Sequence, residues 1–259
     1  MLNSLHHHQA GNLKRPTLVF LHGLLGDGSD WAQAIVKLNQ FTCITIDLPG
    51  HGQSKEVSCA NLDECCALLT ATLKCLLETN QPIFLVGYSM GARIAMHGVA
   101  NDLFHDINVQ GLIIEGGNFG LKTAEEKRVR LINDEKWANR FIHEPIEQVL
   151  FNWYQQSVFS SLNDEQRQSL QRKRSDNLGV SIAHMLLATS LAKQDPLLER
   201  LTKGSLPIHY ICGSKDNKFK TMARESGLSF HAVLGAGHNV HQECPDEFAT
   251  IIIDFIQNQ

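Results

Sequence analysis

Residues 83–91 read Ile-Phe-Leu-Val-Gly-Tyr-Ser-Met-Gly, and this stretch decides the predicted fold. The apolar run Ile83–Val86 is typical of a strand that is buried on both faces of a sheet. The Gly-x-Ser-x-Gly pattern after it predicts a sharp turn into a helix, because side chains at Gly87 and Gly91 would collide across the turn. Ser89 is therefore predicted at the carboxyl edge of the sheet, where open α/β folds bind their ligands. The pentapeptide alone also fits an ordinary turn at a strand end, so its meaning depends on partners elsewhere in the chain.

Short apolar runs and helical stretches alternate on both sides of this turn. Strands are predicted at Thr17–Leu21, Thr42–Ile46, Gly111–Ile114, Ile208–Cys212 and Phe230–Leu234. One helix is predicted to start at Asn61, with Glu64 completing a capping box, and the last helix is predicted to start near Pro245. The alternation predicts an α/β fold with a mostly parallel central sheet flanked by helices.

Residues 119–191 interrupt this alternation, since they contain helical segments and no convincing strand. Asn163 with Gln166 is typical of a helix start within this region. We therefore expect a helical cap, residues 119–191, inserted in a core formed by residues 1–118 and 192–259. The length of 259 residues suits a single large core.

Composition excludes several classes of function. A formal charge of −4 gives neither the basic face of a nucleic-acid-binding protein nor a polybasic membrane signal. No apolar stretch is long enough to span a bilayer, and no targeting segment is recognised. The 7 cysteines lack paired spacing, which argues against disulfides or zinc and favours the reducing cytoplasm. His6, His7 and His8 are too few and too terminal for a metal tract, so a solvated or strand-forming tail is preferred.

A serine hydroxyl is a poor nucleophile or base unless a general base lies beside it. His238 is the best candidate among the 13 histidines, because a Gly-Ala-Gly loop after the last predicted strand can bring it to Ser89. His241 is predicted to support this loop or to lie at the surface. His22 and His51 precede the serine, which is the wrong order for this triad, and are predicted to form hydrogen bonds inside loops.

The base needs an acid that fixes its tautomer, and Asp216 is the candidate. It follows the strand Ile208–Cys212 in a Gly-Ser-Lys-Asp loop, between the serine and the histidine in chain order. Asp195 precedes that strand and is predicted to be a turn or cap residue, and Asp47 precedes the serine. Two backbone N–H groups should form the oxyanion hole, one from Met90 and the other from Leu24 in the loop after the first predicted strand.

Several motifs together identify the chain as a member of the α/β-hydrolase superfamily. They are His22-Gly23, residues 47–54 (Asp-Leu-Pro-Gly-His-Gly-Gln-Ser), the turn around Ser89, and His238. Further stretches resemble the 2-succinyl-6-hydroxy-2,4-cyclohexadiene-1-carboxylate synthases of menaquinone biosynthesis: residues 115–117, 153–156, 162–164, 218–219 and 236–243. The resemblance covers nearly the whole chain, although Ala92 replaces a glycine that many members carry.

This resemblance implies a lyase that acts on a small tricarboxylate. The substrate would be 2-succinyl-5-enolpyruvyl-6-hydroxy-3-cyclohexene-1-carboxylate, from which pyruvate is expelled without hydrolysis. Ser89 would act as the base on the carbon alpha to the succinyl ketone. No metal or organic cofactor is expected, nor any nucleic-acid partner or membrane insertion, and a cytoplasmic monomer is expected.

The resemblance also implies that Arg93, Arg130 and Arg174 bind carboxylates, while Tyr88 and Trp153 line the site. Only Arg93 has support from the sequence itself, because it lies one helical turn after the serine and its planar fork suits a carboxylate. Without the resemblance, Arg130 and Arg174 would be solvated charges on helices, and Trp153 would be a core aromatic residue.

Two alternative functions stay open at this point. A carboxylesterase or a C–C bond hydrolase would use the same triad, although an ordinary esterase binds neutral substrates and does not need three arginines. A hydrolase-like ligand receptor would keep the fold without turnover, although the intact set of Ser89, Asp216 and His238 argues against it.

Overall fold

The computed structural model describes residues 1–7 and 15–259, in which seven strands form one sheet with the order β1-β3-β2-β4-β5-β6-β7. The strands are β1 Ser4–His7, β2 Thr17–Leu21, β3 Thr42–Ile46, β4 Ile83–Tyr88, β5 Val109–Glu115, β6 Ile208–Gly213 and β7 Ser229–Val233. Only the edge pair β1–β3 is antiparallel. The predicted mostly parallel sheet is confirmed, and β1 is the strand that was not among the predicted apolar runs.

Eleven α-helices accompany the sheet within the described residues. They are α1 Ala32–Lys37, α2 Leu62–Leu76, α3 Met90–Ala100, α4 Ala124–His143, α5 Ile146–Trp153, α6 Asp164–Arg174, α7 Gly179–Ala188, α8 Leu198–Lys203, α9 Asn217–Ser226, α10 Val240–Glu243 and α11 Pro245–Gln257. Short 3₁₀ turns occur at Gly28–Trp31, Gly52–Ser54, Ser157–Phe159 and Leu191–Lys193. No helix in residues 1–7 and 15–259 combines the length and the apolar character needed to cross a membrane.

The central strand β4 shows how the sheet separates two hydrophobic layers. Side chains alternate between the two faces of a strand. Ile83 and Leu85 therefore pack into the layer that contains α2 and α3. Phe84, Val86 and Tyr88 pack into the opposite layer, against residues of α1 and α11. Because both faces are covered, nearly every β4 side chain is removed from water, and each fully buried large apolar side chain stabilises the fold by roughly 1.5–3 kcal/mol.

The N-terminal strand extends the sheet by one edge. Ser4–His7 pairs with β3, and the His7 ring lies 3.2 Å from the Thr45 hydroxyl. The strand-forming tail considered for the histidines is thus observed for His6 and His7, whereas His8 lies outside the described residues. No group of three or more His, Cys, Asp or Glu side chains that could hold a metal ion occurs in the part of the chain that the structure describes.

The helix starts follow their capping residues with one difference from expectation. The Asn61 side chain accepts a hydrogen bond from the Glu64 N–H at 2.9 Å, as predicted for α2. The Glu64 carboxylate, however, accepts from the Ala60 N–H instead of closing the capping box on Asn61. Pro245 begins α11, where its missing N–H costs nothing.

Helices α4 to α7 lie between β5 and β6 in the chain. They share a hydrophobic cluster that includes Phe141, Leu150 and Ile182, and Leu25 from the core side joins it. Asn163 and Gln166 cap α6 reciprocally, each accepting from the backbone N–H of the other at 2.9 Å. We propose that residues 119–191 act as a cap on the core formed by residues 1–118 and 192–259.

Candidate active site

The turn at Ser89 has the strained backbone that its sequence predicts. Ser89 has φ 49° and ψ −105°, a region that costs a non-glycine residue on the order of 1–3 kcal/mol. A Cβ atom at Gly87 would lie 2.6 Å from the backbone nitrogen of Ala92, and one at Gly91 would overlap the Leu21 carbonyl. The close approach of β4, α3 and β2 thus requires both glycines and projects Ser89 from the start of α3.

Ser89 faces a cavity at the carboxyl edge of the sheet, beneath α4 and α7. The residues that line it are Leu24, Ser89, Met90, Arg93, Gly116, Asn118, Arg130, Trp153, Leu186, Thr189, Leu191, Lys218 and Phe219. Six residues singled out from the sequence therefore meet here: Ser89, Leu24, Met90, Arg93, Arg130 and Trp153. Asp216 and His238 line an adjoining cavity that shares Lys218 with the first.

His238 and Asp216 form the predicted base and acid pair. The Nδ1 atom of His238 lies 2.7 Å from Oδ2 of Asp216, and both side chains are almost completely buried. With Nδ1–H donated to the carboxylate, Nε2 is left as the acceptor for a proton from elsewhere. The ring packs at 4.8 Å from the Phe219 ring and at 5.2 Å from the Tyr88 ring, which limits its rotation.

Gly116 lies between the Ser89 cavity and the His238 ring. It follows β5 with φ +58°, and a Cβ atom there would lie 2.7 Å from Cε1 of His238. The same glycine lines the Ser89 cavity, while the Ser89 N–H donates to the neighbouring Glu115 carbonyl at 2.8 Å. In the described residues no hydrogen bond joins the Ser89 hydroxyl to His238. Such contacts in unliganded enzymes commonly tighten only when substrate binds.

The two rival acids are engaged elsewhere. Asp195 is exposed and lies 3.7 Å from Arg200. Asp47 accepts hydrogen bonds from the N–H groups of Gly28 and Gln53, both at 2.8 Å, and so fastens two loops together. Neither carboxylate contacts His238, which agrees with the preference for Asp216.

The oxyanion-hole candidates are the backbone amides of Met90 and Leu24. Met90 is the first residue of α3, where the N–H has no partner within the helix. The Leu24 N–H has no protein acceptor in the structure of residues 1–7 and 15–259. Both residues line the Ser89 cavity, and the preceding Gly23 is closed into a turn by a hydrogen bond from the Gly26 N–H.

A pair of buried histidines fixes the loop that carries Leu24. His51 Nε2 accepts from the Leu25 N–H at 3.0 Å, and His22 Nε2 accepts from the Leu48 N–H at 2.9 Å. Each Nδ1–H is left to donate to a carbonyl, that of Gly23 for His22 and that of Pro49 for His51. The prediction that these histidines serve hydrogen bonds inside loops is therefore correct.

Acidification is expected to weaken the fold through this pair. Burial lowers the pKa of His51 to about 3, and the neighbouring His22 acts in the same direction. Below about pH 6.5 the unfolded chain binds a proton at His51 that the native chain does not bind until about pH 3. The free energy of unfolding should therefore fall with pH in this window, by about 1.4 kcal/mol per pH unit.

Urea unfolding at several pH values between 4 and 7 checks this expectation, using His51→Asn as the test variant. The variant should show a shallower pH dependence than the parent protein, and equal slopes would contradict the assignment. His143→Asn, on the exposed side of α4, is the matched control for the loss of one histidine.

Arg93 is a buried cation without a carboxylate partner. Its NH1 donates to the Thr189 carbonyl at 2.7 Å and to the Gln194 side chain at 3.3 Å. No Asp or Glu of the described chain lies within ion-pair distance of it. Burial lowers the pKa of Arg93, and the positive charge of Arg130 acts in the same direction. An anion in the cavity would relieve this destabilisation of the charged form.

Arg130 lines the cavity and is held by one nitrogen of its guanidinium. Its Nε donates to Oδ1 of Asp134 at 2.7 Å, and Oδ2 of Asp134 accepts from the Ser190 hydroxyl at 2.7 Å. The resemblance alone gave Arg130 a role in the site, and the structure brings it to the same cavity as Ser89 and Arg93.

Arg174 does not face this cavity, in contrast to the expectation from the resemblance. Its NH2 lies 2.5 Å from Oδ2 and 2.6 Å from Oδ1 of Asp30, and NH1 lies 3.6 Å from Asp27. Burial opposes ionisation of Asp30, but the charges of Arg174 and Lys173 outweigh it and hold the pKa of that carboxyl well below its usual range. A buried ion pair between α6 and the Gly28–Trp31 turn thus holds NH2, whereas Nε and NH1 have no hydrogen-bond partner among the described residues.

Tyr88 also differs from its expected position. Its side chain lies on the layer opposite α3, and its hydroxyl donates to the Asn239 side chain. Its ring packs against His238, so it supports the His238 loop instead of lining the cavity. Trp153, by contrast, lines the cavity and is steadied by rings of Trp137 at 4.9 Å and Phe141 at 5.6 Å.

Sequence reasoning gave no role in the site to three polar residues of the cavity, Asn118, Thr189 and Lys218. Lys218 follows Asp216 by two residues, so the predicted position of Asp216 could have indicated that Lys218 lies near the site. His241 is fully buried, and both its N–H and its Nδ1 contact the Glu115 carboxylate, at 3.1 and 2.7 Å. It therefore supports the His238 loop, and the surface alternative for it is wrong.

The chain is similar to a protein family, to curated relatives and to a solved structure. Residues 16–243 match the alpha/beta hydrolase fold family. A Serratia proteamaculans protein named 2-succinyl-6-hydroxy-2,4-cyclohexadiene-1-carboxylate synthase is 42% identical over 250 residues, covering 96% of each chain. A Haemophilus influenzae protein, provisionally given the same name, is 46% identical over 226 residues, which are 87% of this chain and 91% of that protein. The structure of MenH from S. aureus matches with a TM-score of 0.90 at 28% identity, over 100% of this chain and 99% of that chain.

Proposed function

Because this chain belongs to the 2-succinyl-6-hydroxy-2,4-cyclohexadiene-1-carboxylate synthase family of α/β hydrolases, we propose that Ser89, His238 and Asp216 are its catalytic triad. As a family member it is an enzyme of menaquinone biosynthesis. It eliminates pyruvate from 2-succinyl-5-enolpyruvyl-6-hydroxy-3-cyclohexene-1-carboxylate and leaves 2-succinyl-6-hydroxy-2,4-cyclohexadiene-1-carboxylate. Arg93, Arg130 and Trp153 belong to the substrate-binding set of this proposal.

The observation that carries the proposal is the charge of the cavity at Ser89. Arg93 and Arg130 line it together with the serine, and no Asp or Glu belongs to the lining. A site that hydrolyses neutral esters gains nothing from Arg93, a buried cation without a carboxylate partner, since burial of a charge without a partner is costly. A substrate with three carboxylates supplies the missing negative charge.

The first step of the proposed mechanism is removal of a proton from carbon. His238, held by Asp216, accepts the Ser89 hydroxyl proton, and the serine oxygen takes the proton from the ring carbon alpha to the succinyl ketone. The electron pair of that C–H bond moves onto the ketone oxygen. The N–H groups of Leu24 and Met90 donate hydrogen bonds to the resulting oxyanion, where they replace water.

The second step expels pyruvate. The electron pair returns from the oxygen through the ring double bond, which shifts to form the conjugated diene, and the carbon–oxygen bond to the enolpyruvyl group breaks. His238, which holds one additional proton after the first step, gives a proton to the departing enolate, which becomes pyruvate, so the proton taken from the ring is balanced. Water is not consumed, and the residues named supply every proton transfer.

The compartment and assembly state belong to the same proposal. All seven cysteines are free, which fits the reducing cytoplasm. We propose a cytoplasmic monomer, whose mass by light scattering should correspond to one chain of 28.9 kDa.

A coupled assay of pyruvate release tests the proposed function. The purified full chain is mixed with the enolpyruvyl substrate, lactate dehydrogenase and NADH, and absorbance of the diene is followed in parallel. Equal amounts of pyruvate and diene are expected. Rapid turnover of short p-nitrophenyl esters without pyruvate release would favour a hydrolase, and tight binding of the substrate without turnover would favour a receptor.

A further inference from the structure

The cavity at Ser89 contains one more cation than the two arginines. Lys218 lines it together with Arg93 and Arg130, so the lining carries three positive charges and no negative one. Lys218 forms no ion pair or side-chain hydrogen bond with any described residue. Its ammonium lies 5.4 Å from the centroid of the Phe219 ring, and no described carboxylate forms an ion pair with it.

Arg174 is not among the residues that line the cavity, so one of the three expected cations is missing from it. Both oxygens of Asp30 hold its guanidinium, and the side chain is 4% exposed. A substrate with three carboxylates then meets only two arginines in the cavity, and the third partner must come from another element.

The position of Lys218 places its charge at the triad end of the cavity. It belongs to the first turn of α9, two residues after Asp216. The Asp216 side chain accepts a hydrogen bond from the Phe219 N–H and caps this helix. Lys218 also lines the adjoining cavity that contains Asp216 and His238. Arg93, on α3, approaches from the opposite side, where it contacts Thr189 and Gln194.

We propose that Lys218 binds one carboxylate of the substrate and completes, with Arg93 and Arg130, a set of three cations for three carboxylates. This inference rests on the proposed function, because it takes the tricarboxylate as the ligand. An ammonium group suits the role, since it can donate three hydrogen bonds and adjust its position on a flexible stem.

The electrostatic surroundings of Lys218 agree with this role. Burial lowers its pKa, and Arg130 acts in the same direction, while Asp216 opposes them. Arg93 is the remaining charge in the Ser89 cavity, and Lys215 and His238 also line the adjoining cavity. A bound carboxylate would reverse the balance and favour the charged lysine.

The test is the effect of Lys218→Gln on the kinetics of pyruvate release. We expect KM to rise about tenfold or more, with kcat changed by less than about threefold, because a hydrogen bond to a charged group is lost from binding. Lys218→Arg should recover most of the loss. The matched control is Arg224→Gln, which removes a positive charge from an exposed position of the same helix and lines neither cavity, and it should keep the parental KM.

Binding to inactive protein identifies the carboxylate concerned. Calorimetry would compare Ser89→Ala with the double variant Ser89→Ala/Lys218→Gln, using the substrate and its three monoamides. One monoamide should bind both proteins equally, because it lacks the carboxylate that Lys218 contacts. A KM for Lys218→Gln within about twofold of the parent, or an equal loss of affinity for all three monoamides, would overturn the role of Lys218. Absence of pyruvate release from the parent enzyme would instead overturn the proposed function.

Discussion

Replacement of Ser89 by alanine is expected to slow pyruvate release by about 10²- to 10⁴-fold, the range that a positioned acid–base group contributes. The variant loses the only oxygen at the turn that can relay a proton between the substrate carbon and His238. Alanine adopts the φ of 49° no more easily than serine, so the strain at the turn stays as it is. The loss should therefore appear in the rate and not in the stability.

The measurement is the coupled pyruvate assay at saturating substrate, with thermal unfolding by circular dichroism as the check on the fold. Ser58→Ala is the matched control, because Ser58 is exposed in the loop before α2 and lies outside the cavity at Ser89. Near-normal pyruvate release from Ser89→Ala would show that His238 acts on the substrate without the serine.

Replacement of Asp216 by asparagine should lower kcat by about 10⁴-fold, the size of effect seen when a triad acid becomes an amide. The carboxylate accepts the Nδ1–H of His238 at 2.7 Å and so leaves Nε2 free to accept the serine proton. An asparagine NH₂ would donate to Nδ1 instead, which puts the ring proton on Nε2, where it blocks the transfer.

Asparagine at position 216 can still act as the N-cap of α9. Asp216 also caps α9 by accepting from the Phe219 N–H, and asparagine caps helices about as well. The thermal midpoint of Asp216→Asn should therefore stay close to that of the parent while its kcat collapses. Asp195→Asn removes the exposed rival carboxylate and serves as the control that should keep full activity. Parallel losses of stability and rate in Asp216→Asn would point to a structural role instead.

The sheet was predictable because buried parallel strands leave a signature in the sequence. Runs such as Thr17–Leu21 and Ile83–Val86 are apolar throughout, since both of their faces are covered. The strand Ser4–His7 has no such run: it lies at the edge of the sheet, and only its pairing with β3 defines it. A chain segment of this kind becomes a strand through its neighbour and not through its own composition.

The triad candidates were predictable from chain order and loops, but the surrounding residues required geometry. Tyr88 was expected in the cavity because it precedes Ser89, yet the two-residue period of β4 sets it with Phe84 and Val86 on the other face. The alternation of β4 could have been used to predict the face on which Tyr88 lies. The pairing of Arg174 with Asp30 could not be predicted from the sequence, because 144 residues separate the two and only the packing of α6 brings them together.

The cationic lining of the cavity has a consequence for the kinetics of substrate capture. The whole chain carries a formal charge of −4, so at long range it repels a trianion. Salt screens that repulsion beyond about 8 Å at physiological ionic strength. Close to the mouth, the charges of Arg93, Arg130 and Lys218 act across low-dielectric walls that focus their field. The potential at the cavity mouth is therefore positive although the net charge of the protein is negative. This local field orients the substrate as it enters and does not attract it over long distances.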